Sequence, residues 1–312
     1  MKKAILLLGV AAICGAAQAT ILRVNNTIGA GAPYSDLTAA IGAAQVGDTI
    51  VVDGSSTSYG DVTIDKSLVV MGPGYWRTQN GLSAEGTNSA LVQNLTISST
   101  AETTVVRGME VNANLRINAS QVVANRCLVR GSIHLASGTT RVVVHQCFIG
   151  GLVYGNGSSY AQITNNILTR RYTDSGLYNK LIDSYIAYNT TTNDWTNIHY
   201  SDDVDCSGCT FENNIATFLR GSSANSYVGN YNQQEGEGNR IYSGLDTDLA
   251  VKNQSMSDEK RAAIDGKGAF AGNDPYAISG IPAGPVVEDV TVPVSVEQGN
   301  TLNVTVKLGI QK

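Results

Sequence analysis

Residues 170–205 concentrate the side chains of this chain best suited to chemistry: Arg170, Arg171, Tyr172, Lys180, Asp183, Asp194, Trp195, His199, Tyr200, Asp202, Asp203 and Asp205. The carboxylates Asp202, Asp203 and Asp205 are the hard oxygen donors that Ca2+ takes. Arg170, Arg171, Lys180 and His199 are the candidates for moving a proton beside such an ion. Tyr172, Trp195 and Tyr200 offer apolar faces with polar tips, a surface that suits sugar rings. No motif fixes any of the cations next to the acids. The same residues therefore equally suit two solvated loops whose Asp side chains close turns.

The cysteines and histidines point away from a metal centre. Cys127 and Cys147 are separated by 19 residues, Cys206 and Cys209 by two, and the three histidines, His134, His145 and His199, stand at no ligand interval from them. Cys206-Ser207-Gly208-Cys209 has the spacing of a redox pair but no helix to activate its first thiol. A short disulfide or two inert positions are the readings it supports.

The elements that position these residues begin after an export signal. Residues 1–19 carry Lys2 and Lys3, an apolar run over 4–13, and Ala17-Gln18-Ala19 before Thr20. The run is too short to span a bilayer, and no later segment reaches the required length. The expectation is an exported, extracellular or cell-surface chain. Lipid anchoring at Cys14 is the less favoured alternative, because Ile13 is bulky where such sites take a small residue. Removing the signal leaves 19 basic and 26 acidic side chains, a balance of −7. That acidity disfavours a nucleic-acid partner, and 42% hydrophobic residues in 312 exclude a disordered chain.

The chain repeats. Val122-Val123-Ala124-Asn125-Arg126-Cys127-Leu128-Val129 aligns without gaps on Val142-Val143-Val144-His145-Gln146-Cys147-Phe148-Ile149, and then on Gln162-Ile163-Thr164-Asn165-Asn166-Ile167-Leu168-Thr169, at an offset of 20 each time. Looser copies contain Asn189, Asn213 and Asn230. Short alternating strands between Gly, Ser and Asn turns, with about 20 residues per repeat, predict the coils of a parallel β-helix. Asn125, Asn165, Asn189, Asn213 and Asn230 are expected at one corner, stacked rung on rung, and Cys127 and Cys147 at one buried position.

The opening Tyr34-Ser35-Asp36-Leu37-Thr38-Ala39-Ala40-Ile41, Val46-Gly47-Asp48-Thr49-Ile50-Val51-Val52, Tyr59-Gly60-Asp61-Val62-Thr63-Ile64 and Gly72-Pro73-Gly74 resembles the pectin-lyase-like superfamily of right-handed parallel β-helices. The resemblance covers about residues 22–240. It implies a single-stranded right-handed parallel β-helix, all-β, whose open N-terminal end is covered by a short amphipathic helix at about 36–44. It also implies that the turn carrying Trp76 packs against that capping element. Asp48-Thr49-Ile50 is expected to be a buried strand and receives no role.

The resulting domain expectation is a signal peptide at 1–19, the β-helix at 20–245, a helical or extended linker or strap at 246–285, and a C-terminal β tail at 286–312. Within it, 255–264 is helix-forming with Ser257 as N-cap, and the tail holds two strands, about 287–294 and 302–308. Twenty-seven residues are too few for a core of their own. The tail must therefore pack on the helix, cap its end or engage a protein partner.

Enzymes of the resembled superfamily mostly cleave acidic polysaccharides, the lyases with Asp-bound Ca2+ and a basic side chain. Ser201-Asp202-Asp203 resembles the Asp-Asp step of polygalacturonase-like hydrolases, but their downstream Gly-His-Gly and Arg-x-Lys elements are absent. The functional expectation is a non-catalytic surface protein that binds a polysaccharide or serves as an adhesion or assembly module. The alternatives are a lyase with Ca2+ at 170–205 and a purely structural surface component.

Overall fold

A computed structural model describes residues 19–81, 88–169, 178–191, 205–216, 219, 221–232, 262–281, 284–291 and 305–311. The chain is a parallel β-solenoid of about eight turns. Its strands form three parallel sheets of ten, eight and six strands. A middle coil shows the plan. Val123–Asn125 lies in the first sheet, Leu128–Val129 in the second and Ile133–Leu135 in the third, before Val143–His145 returns to the first. Within each strand the pleat sends alternate side chains inward: Leu115 and Ile117 are buried while Arg116 between them is exposed. Each buried Ile, Leu or Val contributes roughly 1.5–3 kcal/mol, and stacking gives one continuous core from Leu22 to Leu219.

The N-terminal end is closed by a helix, Leu37–Ala43, where the resemblance implies one at about 36–44. Asp36 caps it by accepting the N–H groups of Thr38 at 2.7 Å and Ala39 at 3.2 Å. Leu37, Ala40 and Ile41 pack downward on the first coils, which covers a sheet end that would otherwise be an aggregation edge.

The repeat register differs from the ungapped alignment. Val143 pairs with Gln162 and Phe148 with Ile167, an offset of 19, so Cys147 stacks on Asn166 and not on Ile167. The residue is lost in one turn: His134 pairs with Tyr154 at an offset of 20, but Thr140 already bridges Ser159. The loss falls before Gly157, because Gly157, with φ 86°, stands where Gly138, with φ 80°, stands in the coil before. A slip of one residue would exchange the inward and outward side chains of the strand.

The corner ladder shifts with it. The inward residues at the corner between the first and second sheets are Cys127, Cys147, Asn166, Asn189, Asn214 and Asn230. Asn165 and Asn213 occupy the preceding position, and Asn125 ends a strand. The Asn side chains form a saturated chain. Asn189 Oδ1 accepts the backbone N–H and the Nδ2 of Asn166, both at 2.9 Å; its own Nδ2 donates to Ile163 O at 2.8 Å and Asn214 Oδ1 at 3.0 Å. Cys127 and Cys147 share a rung position, with Cys127 N–H 3.5 Å from Cys147 Sγ, and both are buried. All four described cysteines, Cys206 and Cys209 included, are free thiols in the core.

The residue before each of these inward positions is left-handed: Arg126, Gln146, Asn165, Tyr188 and Asn213 have φ between 50° and 55°. For residues other than Gly this costs roughly 1–2 kcal/mol each. The conformation throws their side chains outward, where four of them meet residues 262–281. That segment runs back along the solenoid as a strap. Asn165 Nδ2 donates to Ala269 O and Ala271 O, Gln146 Nε2 to Asp274 Oδ1 and Pro275 O, and Arg126 Nη1 to Ile281 O. The Tyr188 ring lies against Gly272. The strap buries Ala269 and Tyr276 on the outward side chains Leu128, Phe148 and Ile167 of the second sheet, a second apolar cluster. Trp76 belongs to this cluster, 4.9 Å edge-on to Phe148. Its turn therefore packs on the strap and not on the N-terminal cap: Gly74 and Tyr75 both lie against Ser279.

Strands Gly284–Thr291 and Thr305–Gln311 pair antiparallel. The expected helix at 255–264 lies outside the described residues except for 262–264, which are helical.

Candidate functional site: the outer face of the third sheet

The solenoid presents three outer faces. The strap covers the second sheet. The first sheet carries a half-buried column of Val69, Val105, Val123 and Val143. The third sheet carries polar residues in register along the axis: Thr63, Thr96, Arg116, His134, Tyr154 and Asn179. From Thr63 to Tyr154 each is the outward residue of a strand whose neighbours hold the core, with a step of about 4.8 Å, and the column ends at Asn179, which is buried.

Arg116, His134 and Tyr154 form the centre of that column. The His134 and Tyr154 rings stack with centroids 4.7 Å apart and planes 15° from parallel. Their ring faces are turned toward each other, so they offer solvent their edges. Burial holds the His134 imidazole below its ordinary pKa, and Arg116 pushes it the same way. Arg116 is exposed; among the described residues its one side-chain hydrogen bond is a long 3.5 Å approach to Asn94 Oδ1. At the corner after the sheet, Arg141 and Tyr160 are also exposed.

The charge around this column contrasts with that of the chain. Residues 103–169 hold five Arg and no Lys, against one Glu and no Asp, in a protein of net charge −5. Arg130 is taken by Glu110 at 2.6 Å and Arg126 by the strap. Among the described residues, no carboxylate lies within ion-pair distance of Arg116 or Arg141. Arg107 lies half-buried in the first sheet, which leaves Arg116 and Arg141 as the members that face outward in the third sheet and at the corner after it.

Most of the residues expected from the sequence to form a site lie outside the described residues: Arg170, Arg171, Tyr172, Trp195, His199, Tyr200, Asp202 and Asp203. Lys180 and Asp205 are described and lie in turns. Asp205 is exposed, and among the described residues no group of three or more His, Cys, Asp or Glu stands where it could hold a metal. Asp205 alone does not make a Ca2+ site. Of the other tyrosines near this segment, Tyr178 is buried against Phe211, Tyr188 lies under the strap, and Tyr185 is tied to Glu212 at 2.9 Å. These three do not form an aromatic platform.

One further cluster has the order of a catalytic triad. His145 Nδ1 lies 2.8 Å from Thr164 Oγ1, and Nε2 lies 2.9 Å from Asp274 Oδ2. The Thr164 carbonyl is also 3.1 Å from Nδ1. The Thr164 carbonyl and the Asp274 carboxylate both only accept, whereas a neutral imidazole donates from one ring nitrogen. The cluster clips the strap to the first sheet.

Arg116, His134 and Tyr154 escaped the sequence reading because they carry no motif. The signal was present in their spacing, 18 and 20 residues, which is the repeat itself applied to polar positions.

The fold and this face define the chain as a parallel β-solenoid with a cationic, hydrogen-bonding strip along one side. No protein-family profile, curated protein or solved structure matches it. Among the described residues, no helix is long and apolar enough to cross a membrane.

Proposed function

We propose that this chain is an exported β-solenoid that holds an acidic polysaccharide along the outer face of its third sheet without cleaving it. The observation that carries this reading is the Arg116–His134–Tyr154 column, polar edges in register on a rigid face. A linear glycan lying along the axis meets a hydrogen-bonding group at successive rungs, and its carboxylate or sulfate groups meet Arg116, which has no counter-charge within ion-pair distance among the described residues. Stacked edges recognise hydroxyl groups by hydrogen bonds, a mode of contact that does not require an exposed ring face. The likeness of the opening residues to the pectin-lyase-like superfamily supports the same ligand class, and the leader-like residues 1–19 support export to the cell surface. The tail at 286–312 is left for a protein partner.

The test is affinity electrophoresis in gels containing a uronate polymer, a sulfated polymer or a neutral glucan. Retardation by the acidic polymers, weakened by salt and by Arg116→Ala, is the expected result. Equal retardation by the neutral glucan rejects the charge argument. The lyase alternative predicts ultraviolet absorption from an unsaturated uronide when Ca2+ is added, abolished by Asp202→Asn or Asp203→Asn.

A further inference from the structure

Asp48 takes no part in the strip, yet it is a buried carboxylate with a defined set of partners. It sits before the strand Thr49–Val52 and is 5% exposed. Oδ2 accepts the N–H of Gln45 at 2.7 Å, and Oδ1 accepts the N–H of Thr20, also at 2.7 Å. Thr20 is anchored a second time, its carbonyl accepting the Thr49 N–H at 2.9 Å. Strand Ile21–Val24, the first of the ten-stranded sheet, starts at the next residue. Ala19 and Thr20 are exposed, and Thr20 directly follows Ala17-Gln18-Ala19.

With two amides as partners, the Asp48 charge has hydrogen bonds but no counter-ion. Among the described residues no cation lies within ion-pair distance of it. A buried carboxylate in that position is better served by a positive donor. Hydrolysis of the Ala19–Thr20 peptide bond supplies one. Water adds across the bond, the departing leader carries away the Ala19 carboxylate, and the chain keeps the Thr20 α-ammonium. The nitrogen already placed against Asp48 Oδ1 then bears the charge.

We infer that the exported protein begins at Thr20 and that Asp48 is the receptor for its new N-terminal ammonium group, so that leader removal by a signal endopeptidase completes the first coil. This rests on the export part of the reading above and not on the glycan: a protein that binds no polysaccharide still shows the predicted N-terminus.

The test begins with the intact mass and first residue of the chain purified from an exporting cell. Thermal melts then compare chains prepared to begin at Thr20 or at Gln18. The expected results are an N-terminus at Thr20, a melting temperature several degrees higher for the Thr20 chain, and loss of that difference in Asp48→Asn. A chain beginning elsewhere, including a lipidated Cys14, overturns the inference. So do equal melting temperatures with Asp48 intact. If Asp48→Asn does not fold, acylation of the α-amine at neutral pH reads the same contact. Capture slows the reaction in the native Thr20 chain relative to the denatured one, and equal rates overturn it.

Discussion

His134 and Tyr154 stack one rung apart on the outer face of the third sheet, their centroids 4.7 Å apart, while the side chain in register on the other side of His134 is Arg116. The imidazole is thus held between an aromatic ring and a cation, and both burial and charge favour its neutral form.

That arrangement makes stability fall with acid. The folded-state pKa of His134 lies below its unfolded value, so the unfolded chain binds the proton more tightly. Stability should be constant above the unfolded value, about 6.5, and should decline as pH falls from there toward the lower folded value. His134→Gln should flatten this part of the profile in urea titrations at a series of pH values. A profile unchanged by the substitution would remove His134 as its source.

A bound polyanion should reverse the local electrostatics. Protonated His134 is attracted to it, so affinity for an acidic polysaccharide should strengthen as pH falls through the lowered His134 value. Arg116→Ala should weaken binding about fivefold, the scale of one exposed charge contact of up to about 1 kcal/mol. Arg130→Ala serves as the comparison, because that guanidinium is committed to Glu110 at 2.6 Å. Equal losses in the two variants would place the ligand elsewhere.

The Asn ladder predicts an asymmetry between its middle and its start. Asn189→Ala strips partners from Asn166 above and Asn214 below, leaving buried polar groups unpaired, and should cost about 3 kcal/mol or more in equilibrium unfolding. Cys147→Asn should change stability by about 1 kcal/mol or less. Cys147 Sγ already faces Ala124 O, and Asn166 Oδ1 lies one rung on, so a carboxamide there extends the existing pattern. A strongly destabilised Cys147→Asn would show that the ladder ends there for steric reasons.

The strap should be released from the corner that holds it. Gln146 is buried, its Nε2 bonded to the strap and its Oε1 accepting from Arg126 Nε at 2.7 Å. Gln146→Ala should raise hydrogen exchange over 262–281 while leaving the protection of strand Val143–His145 intact. Asp274→Ala should do less, since its side chain is 68% exposed. Unchanged exchange in Gln146→Ala would assign the hold to the apolar cluster around Tyr276 instead.

The coils were legible in the chain because their causes are local. Alternation of inward and outward residues and turn-forming Gly and Asn act within a few residues, and repetition makes them visible. Asn166 and Asn165 show where that legibility stops. Both are Asn, next to each other, and composition cannot say which turns inward. The answer depends on one residue lost between Tyr154 and Ser159, a change that only the ladder of backbone hydrogen bonds reveals.

By itself the amino-acid sequence determined the stacked architecture and the shared rung of Cys127 and Cys147, and the resemblance of its opening residues implied the helical cap at the N-terminal end. The tertiary structure alone decided that the left-handed corner residues Arg126, Gln146 and Asn165 hold a strap from more than 100 residues away. It also decided that Arg116, His134 and Tyr154 share a line. The physical reason is the same in both cases. These contacts run between rungs along the solenoid axis, so they are set by how many residues each coil consumes before it returns to its sheet, and that number varies from 16 to 25 between successive Asn of a single ladder.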